Sequence, residues 1–216
     1  MKDNRLGGLA LILGAISGMV TLTFHPSGGA HRVTPAQFEI LIGVIIGVHA
    51  LAITGLPISF AGALALTRQI ESPARLAILG LIVYGFGAVA MMAAATISGL
   101  VTPGLLREIV KHGPDSDQWH ILMGYTHTIN QGFARVGAVG FCVAIFLWSI
   151  LIWKNRVLSR GLAAYGIVSS IAIVIAIIAG QLDLELHGFR IITLLQSIWF
   201  VVAGISLWRL TSPVAT

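Results

Sequence analysis

Apolar runs alternate with short polar connectors along this chain. Six of the runs approach or exceed the roughly 20 residues that a helix needs to cross a bilayer. They are Leu6 to Phe24, Ile40 to Leu66, Leu76 to Val101, Phe133 to Trp153, Leu162 to Gly180 and Ile191 to Trp208. The pattern predicts an all-α fold, a six-transmembrane-helix bundle. Lys2 and Arg5 precede the first run as they would in a signal peptide. Its apolar core is too long for one, however, and no small-x-small cleavage site follows, so it reads as a retained span. Pro57 falls inside the second run, where it should kink the helix and leave a carbonyl for a neighbouring helix to satisfy. The longest connector, Thr102 to Asp117, holds Pro103, Gly104, Gly113 and Pro114, with a short amphipathic turn expected around Leu105 to Val110. No connector is the size of a domain, so residues 1–216 read as one integral membrane domain.

Composition agrees with that pattern. The chain is 56% hydrophobic and 10% charged, whereas a water-soluble domain carries about 25% charged residues. The formal charge is +5. Its basic residues are scattered through the connectors without a Lys/Arg run or interleaved aromatic residues, which argues against nucleic acid as a partner. The single cysteine, Cys142, lies in an apolar run, so no disulfide or cysteine metal cluster can form within one chain. Gly14 with Gly18, and Gly43 with Gly47, have the small-xxx-small spacing that lets membrane helices approach closely.

Lys and Arg in the connectors set the orientation. With the N-terminus cytoplasmic, eight lie inside: Lys2, Arg5, Arg68, Arg75, Lys154, Arg156, Arg160 and Arg209. Arg32, Arg107, Lys111 and Arg190 lie outside, and Arg135 stays at the membrane edge. The expected protein is N-in/C-in in a bacterial inner (cytoplasmic) membrane. Counting about 20 residues outward from the inner anchors places His49 and His127 at or just beyond the outer boundary. The second and fourth helices should therefore extend on the periplasmic side. All seven histidines and six of the eight acids fall in this outer half.

The stretch "WHILMGYTHTINQGFARVGAVGF", Trp119 to Phe141, opens the fourth span. With about 100° per residue and His120 as zero, His127 falls at about −20°, Gln131 at about +20°, Arg135 at about +60° and Asn130 at about −80°. His120, His127, Gln131 and Arg135 form a stripe that should face protein or water, because ionisable groups facing lipid tails are costly. The third outer connector, "QLDLELHGFR", brings Asp183, Glu185 and His187 close to Arg190.

These residues support several chemistries. A pocket for a small ligand, lipid or quinone head group would use His49, His127, Asn130, Gln131, Arg135 and Arg190. A divalent metal site would draw on His49, His127, Asp183 and His187, which offer imidazole and carboxylate ligands. A single b-type haem would need His49 and His127 as its two imidazoles. A structural or assembly subunit without catalysis is the remaining reading. The serines have no G-x-S-x-G setting, and no charged residue sits at mid-depth to form an ion relay. No reaction can be named from these residues, and membrane lipids are the one partner class that the composition implies.

The segment "ILIWKNRVLSRGLAAYGIVSSIAIVIAI" and the closing "LLQSIWFVVAGISLWR" resemble a group of uncharacterised bacterial six-helix inner-membrane proteins. The shared features are the basic turn Arg156 to Arg160, the Gly-rich start Leu162 to Gly166, and Trp199, Gly204 and Leu207 near the end. The resemblance covers the last third of the chain. It implies the six-helix fold and a membrane location, and no activity.

Overall fold

A computed structural model describes residues 2–26, 34–70, 74–113, 117–182 and 186–210. It is all-helical, with no strand among those residues. The helices are α1 (Lys2–Phe24), α2 (Pro35–Gln69), α3 (Ala74–Thr96), α4 (Thr102–His112), α5 (Asp117–Asn155), α6 (Arg160–Ile178) and α7 (Leu186–Arg209). A wide π turn, Ile97–Val101, joins α3 to α4. Six helical stretches are long and apolar enough to cross a membrane, α3 and α4 counting as one continuous stretch. Their outer faces carry bare apolar side chains, such as Phe86 at 71% and Ile178 at 80% exposure. Water would penalise such a surface, and lipid would not.

Local chemistry sets the helix ends. α2 starts ahead of its apolar run because Thr34 and Gln37 form a reciprocal capping box. The Thr34 hydroxyl accepts from the Gln37 N–H at 3.3 Å, and the Thr34 N–H donates to the Gln37 side chain at 2.9 Å. Pro35 fits the first turn, where no N–H is needed. The helix then runs unbroken through Pro57, whose ring lies on the exposed face. Ser159 caps α6 by accepting from Leu162 N–H at 3.2 Å. The connector expected to hold only an amphipathic turn is an 11-residue helix, α4, and it continues directly from α3. Pro103 explains the junction. An α-helical register would press its ring against the carbonyl of Gly99. The π turn widens the backbone there, and the Thr102 N–H bonds to the carbonyl of Ile97.

Each spanning helix packs on the next in the chain, and α7 returns to α1, so the helices close into a ring. The tightest pairs are α1 with α2, α3 with α5, and α1 with α7. Small residues allow the closest approach: a Cβ on Gly14 would collide with the Cβ of Ser59. The equivalent spacing at Gly43 and Gly47 serves no packing here, since both face open space.

The two ends of the ring differ. The end carrying Arg68, Arg75 and Arg160 is filled by one core that includes Leu11, Leu66, Ile152, Leu162 and Leu207. Trp148 and Trp199 stack at its centre, 6.1 Å apart and 11° from parallel. Their indole N–H groups donate to the Ala77 carbonyl at 3.2 Å and to Ser149 at 3.1 Å. The opposite end, where the histidines gather, is hollow.

Candidate functional site

α1, α2, α3, the π turn with the first residue of α4, α5 and α7 enclose a cavity of about 510 Å³. α6 contributes nothing to its wall. The cavity lies at the end of the ring opposite Arg68, Arg75 and Arg160. Its floor is aromatic: Tyr84, Phe141 and Phe200. Tyr84 stacks on Phe141 at 4.8 Å and meets Phe200 edge-on at 5.6 Å, and its hydroxyl bonds to Ser59. Among the described residues no acid, lysine or arginine lines the wall.

His49 is buried, 6% exposed, in the cavity wall. Its ring packs on His25, just past the end of α1, with centroids 5.0 Å apart and planes at 75°. His49 Nδ1 lies 2.7 Å from the carbonyl of Ile45, and His25 Nδ1 lies 3.1 Å from the carbonyl of Pro26. A carbonyl only accepts, so Nδ1 carries the proton in both rings. A neutral ring then leaves Nε2 as an acceptor. Burial lowers the pKa of His25 below 6.5; the Pro26 carbonyl opposes this, and the nearby positive charge of Arg190 adds to the lowering.

The π turn supports His49 from the other side. A Cβ on Gly99 would run into the Cβ of His49, so only glycine leaves room for the imidazole. Asn130 braces the same turn from α5. Its amide nitrogen donates to the Ala94 carbonyl at 2.8 Å and to the Ser98 hydroxyl. The Thr102 hydroxyl donates to the Ile97 carbonyl at 3.0 Å. Together these bonds add side-chain donors to carbonyls around the wide turn, in an apolar setting where an unpaired carbonyl is costly.

The residues singled out from the sequence divide. His49, His127, Asn130 and Gln131 all line the cavity; His127 is exposed and Gln131 half-buried, so they mark its mouth. Arg135 does not line it and is exposed on the outside of α5. The angular count explains the difference. The cavity-facing residues of α5 include Met123, His127, Asn130, Ala134 and Phe141. Their mean direction is about −50° on the scale that puts Arg135 at about +60°. The inward face is thus centred on Asn130 and Ala134, and the apparent polar stripe straddles its edge. Arg190 is half-buried beside the site and donates from Nε to the carbonyl of Leu22 at 2.9 Å, without lining the cavity. His187 and His120 are exposed. Asp183 and Glu185 lie outside the described residues, as does His31. Among the described residues, no three His, Cys, Asp or Glu side chains converge as a metal cluster.

Sequence reasoning missed four parts of the site: the role of Gly99, the π turn, the Ser59–Tyr84 floor, and Gln196. The buried Gln196 amide donates to the Ala138 carbonyl and to Cys142 Sγ, each at 3.2 Å. Two signals were present. Gln196 interrupts an apolar run, and Pro103 follows Gly99 by the four residues that put its ring on that carbonyl.

Fold and cavity together define a class: an all-helical protein with six helices able to span a membrane, compatible with an integral membrane protein. No family model, curated protein or solved structure matches the chain.

Proposed function

We propose that this is a bacterial inner-membrane protein, N-in/C-in, whose periplasmic cavity binds a small amphiphile taken from the bilayer. The observation that carries the reading is the cavity itself. At about 510 Å³ it falls within the range of small-molecule sites, which are mostly apolar with a few fixed polar groups. Its aromatic floor suits a ring or short chain. Its upper wall offers imidazole, amide and hydroxyl groups without formal charge. An anion would need the guanidinium groups that lie outside this wall, so a neutral head group fits best.

Membrane placement has its own support. Tyr125 and Trp153 are exposed on α5 at 66% and 44%. They are separated by 28 residues (125 to 153), which is about 42 Å along a helix. A bilayer with its head groups is about 40–45 Å thick, and Trp and Tyr gather at its two surfaces. Trp153 sits beside Lys154, and its ring lies 5.5 Å from the Arg160 guanidinium, as expected at a cytoplasmic surface. On this placement α2 and the start of α5 rise to the periplasmic head groups.

Two experiments test the reading. Reporter fusions at Ser72 and Pro114 should read cytoplasm and periplasm; the reverse would overturn the orientation. Mass spectrometry of protein purified in mild detergent should find one small lipid-soluble species, close to one per chain. Ala52→Trp, which fills the cavity from α2, should release it. A preparation carrying only bulk phospholipids, in their membrane proportions, would overturn the ligand assignment.

A further inference from the structure

Several polar groups of the cavity wall have their donors already committed to the protein itself, while His127, Gln131 and Thr193 keep theirs. The hydroxyls of Ser17, Thr21 and Thr102 all donate to backbone carbonyls, those of Gly14, Ser17 with Val48, and Ile97. The amide nitrogens of Asn130 and Gln196 are committed in the same way, to Ala94 and Ala138 carbonyls and to Ser98 and Cys142. Nδ1 of His25 and of His49 is bound to a carbonyl. What these groups have left is acceptor capacity: two imidazole Nε2 atoms and two amide oxygens. A buried acceptor left unpaired costs on the order of 1–3 kcal/mol, so an occupant that supplies donors gains what one without them forfeits.

A cation would also answer acceptors. Two observations disfavour it. No carboxylate lines the wall among the described residues. The Arg190 guanidinium lies close enough to His25 to act on its charge, so a positive ligand would meet repulsion there.

We propose that the cavity selects a neutral amphiphile whose head group donates a hydrogen bond, from a hydroxyl or an N–H, to Nε2 of His49, and discriminates against the same molecule with an acceptor-only head. The inference rests on the ligand-binding reading above and adds its chemical class: phenols, hydroquinones and alcohols rather than ethers or quinones. Nδ1 of His49 is held by the Ile45 carbonyl in its own helix. The tautomer is therefore fixed before any ligand arrives, and the preference needs no rearrangement.

The test is a matched pair of probes, para-octylphenol and its methyl ether. Binding of each is measured by equilibrium dialysis against the full chain in lipid nanodiscs, with empty nanodiscs subtracted. The phenol should bind roughly tenfold tighter than the ether, the ratio that one lost hydrogen bond produces. His49→Phe keeps a flat ring between Gly99 and His25 and should bring the two probes within about twofold. Equal binding of phenol and ether to the wild type would overturn the donor preference while leaving the ligand-binding reading intact. A phenol preference that survives in folded His49→Phe would overturn the role given to His49. If neither probe binds above empty nanodiscs, the ligand-binding reading falls and this inference with it. The wild-type comparison decides the donor preference even if the variant does not fold.

Discussion

The two ends of this helical ring are built from the same kind of sequence and reach opposite outcomes. At the basic end, Trp148 and Trp199 fill the centre, both fully buried, and a continuous apolar core surrounds them. At the histidine end, the same helices stand around a space of about 510 Å³. The difference lies in side-chain volume at the inward positions. On α5, the inward residues of the closed end include Ile145, Trp148 and Ile152. Those of the open end include Met123, Asn130 and Ala134. α3 likewise goes from Tyr84 to Ala94 and Ala95 along the cavity wall. Small residues bring membrane helices together when they lie at a contact, as Gly14 does against Ser59. When they face the middle of a ring of helices, they leave a hollow. Polarity follows volume: the closed end needs few inward polar groups, and the open end uses His25, His49, Asn130 and Gln196, which bond to backbone carbonyls along the cavity wall.

The largest effect expected from breaking this contrast is at the closed end. Trp148→Ala removes a fully buried ring that stacks on Trp199 and bonds to Ala77. Its cost should be about 3–5 kcal/mol, read by reversible unfolding in mixed micelles. A loss below about 1 kcal/mol would mean that the closed end is less tightly packed than described.

Next comes the π turn. Gly99→Ala puts a methyl group into His49 and should destabilise by about 1–3 kcal/mol, the usual range for overpacking. It should also weaken retention of any cavity ligand. Gly43→Ala, on an open face of α2, should leave stability unchanged or raise it by up to about 1 kcal/mol. Equal effects of the two substitutions would remove the special role of Gly99.

A smaller effect should follow from pH. His25 has its folded pKa lowered below 6.5, so the unfolded chain takes up the proton first as pH falls. Its contribution to stability is intact above pH 6.5. It declines as pH drops below that value, and levels off once the folded form protonates too. The melting temperature should therefore be lower at about pH 5 than at about pH 7.5, and His25→Asn should reduce that difference. His49 and Arg190 face His25, and both remain in the variant. An unchanged pH dependence would show that other groups carry it.

The smallest effect is expected at Arg135. Its side chain is exposed and outside the cavity wall. Arg135→Leu should leave binding of the phenol probe within about twofold of wild type. Arg107→Leu, which breaks an exposed 2.9 Å pair with Glu39, should leave stability close to that of the wild type, because solvent screens such a pair. A large loss of binding in Arg135→Leu would bring that residue back to the site.

Much of this architecture is legible in the sequence because six apolar runs are long enough to cross a membrane as helices. A backbone placed in hydrocarbon has to satisfy its own hydrogen bonds, which favours helix in such runs. The short connectors make successive helices neighbours, and the histidines fall at one end by simple counting along the chain. Local signals also carry some detail: Thr34 with Gln37 caps α2, and Pro103 marks the junction after α3. The hollow could not be read in this way. Whether Ala134 leaves space or makes contact depends on which residues of α1, α2, α3 and α7 stand opposite it, and periodicity along α5 does not say. Arg135 shows the same limit. On the helical wheel it lies about 80° from His127, close enough to join one stripe. Only the positions of α3 and α6 on either side of α5 decide that His127 faces the cavity and Arg135 faces out. His25 and Gly99 lie far from His49 along the chain, one on either side of it, and meet it only when α1, α2 and the π turn have packed together. Their chemistry is a property of the assembled ring, because an imidazole acquires a fixed proton and a free lone pair only from the atoms around it.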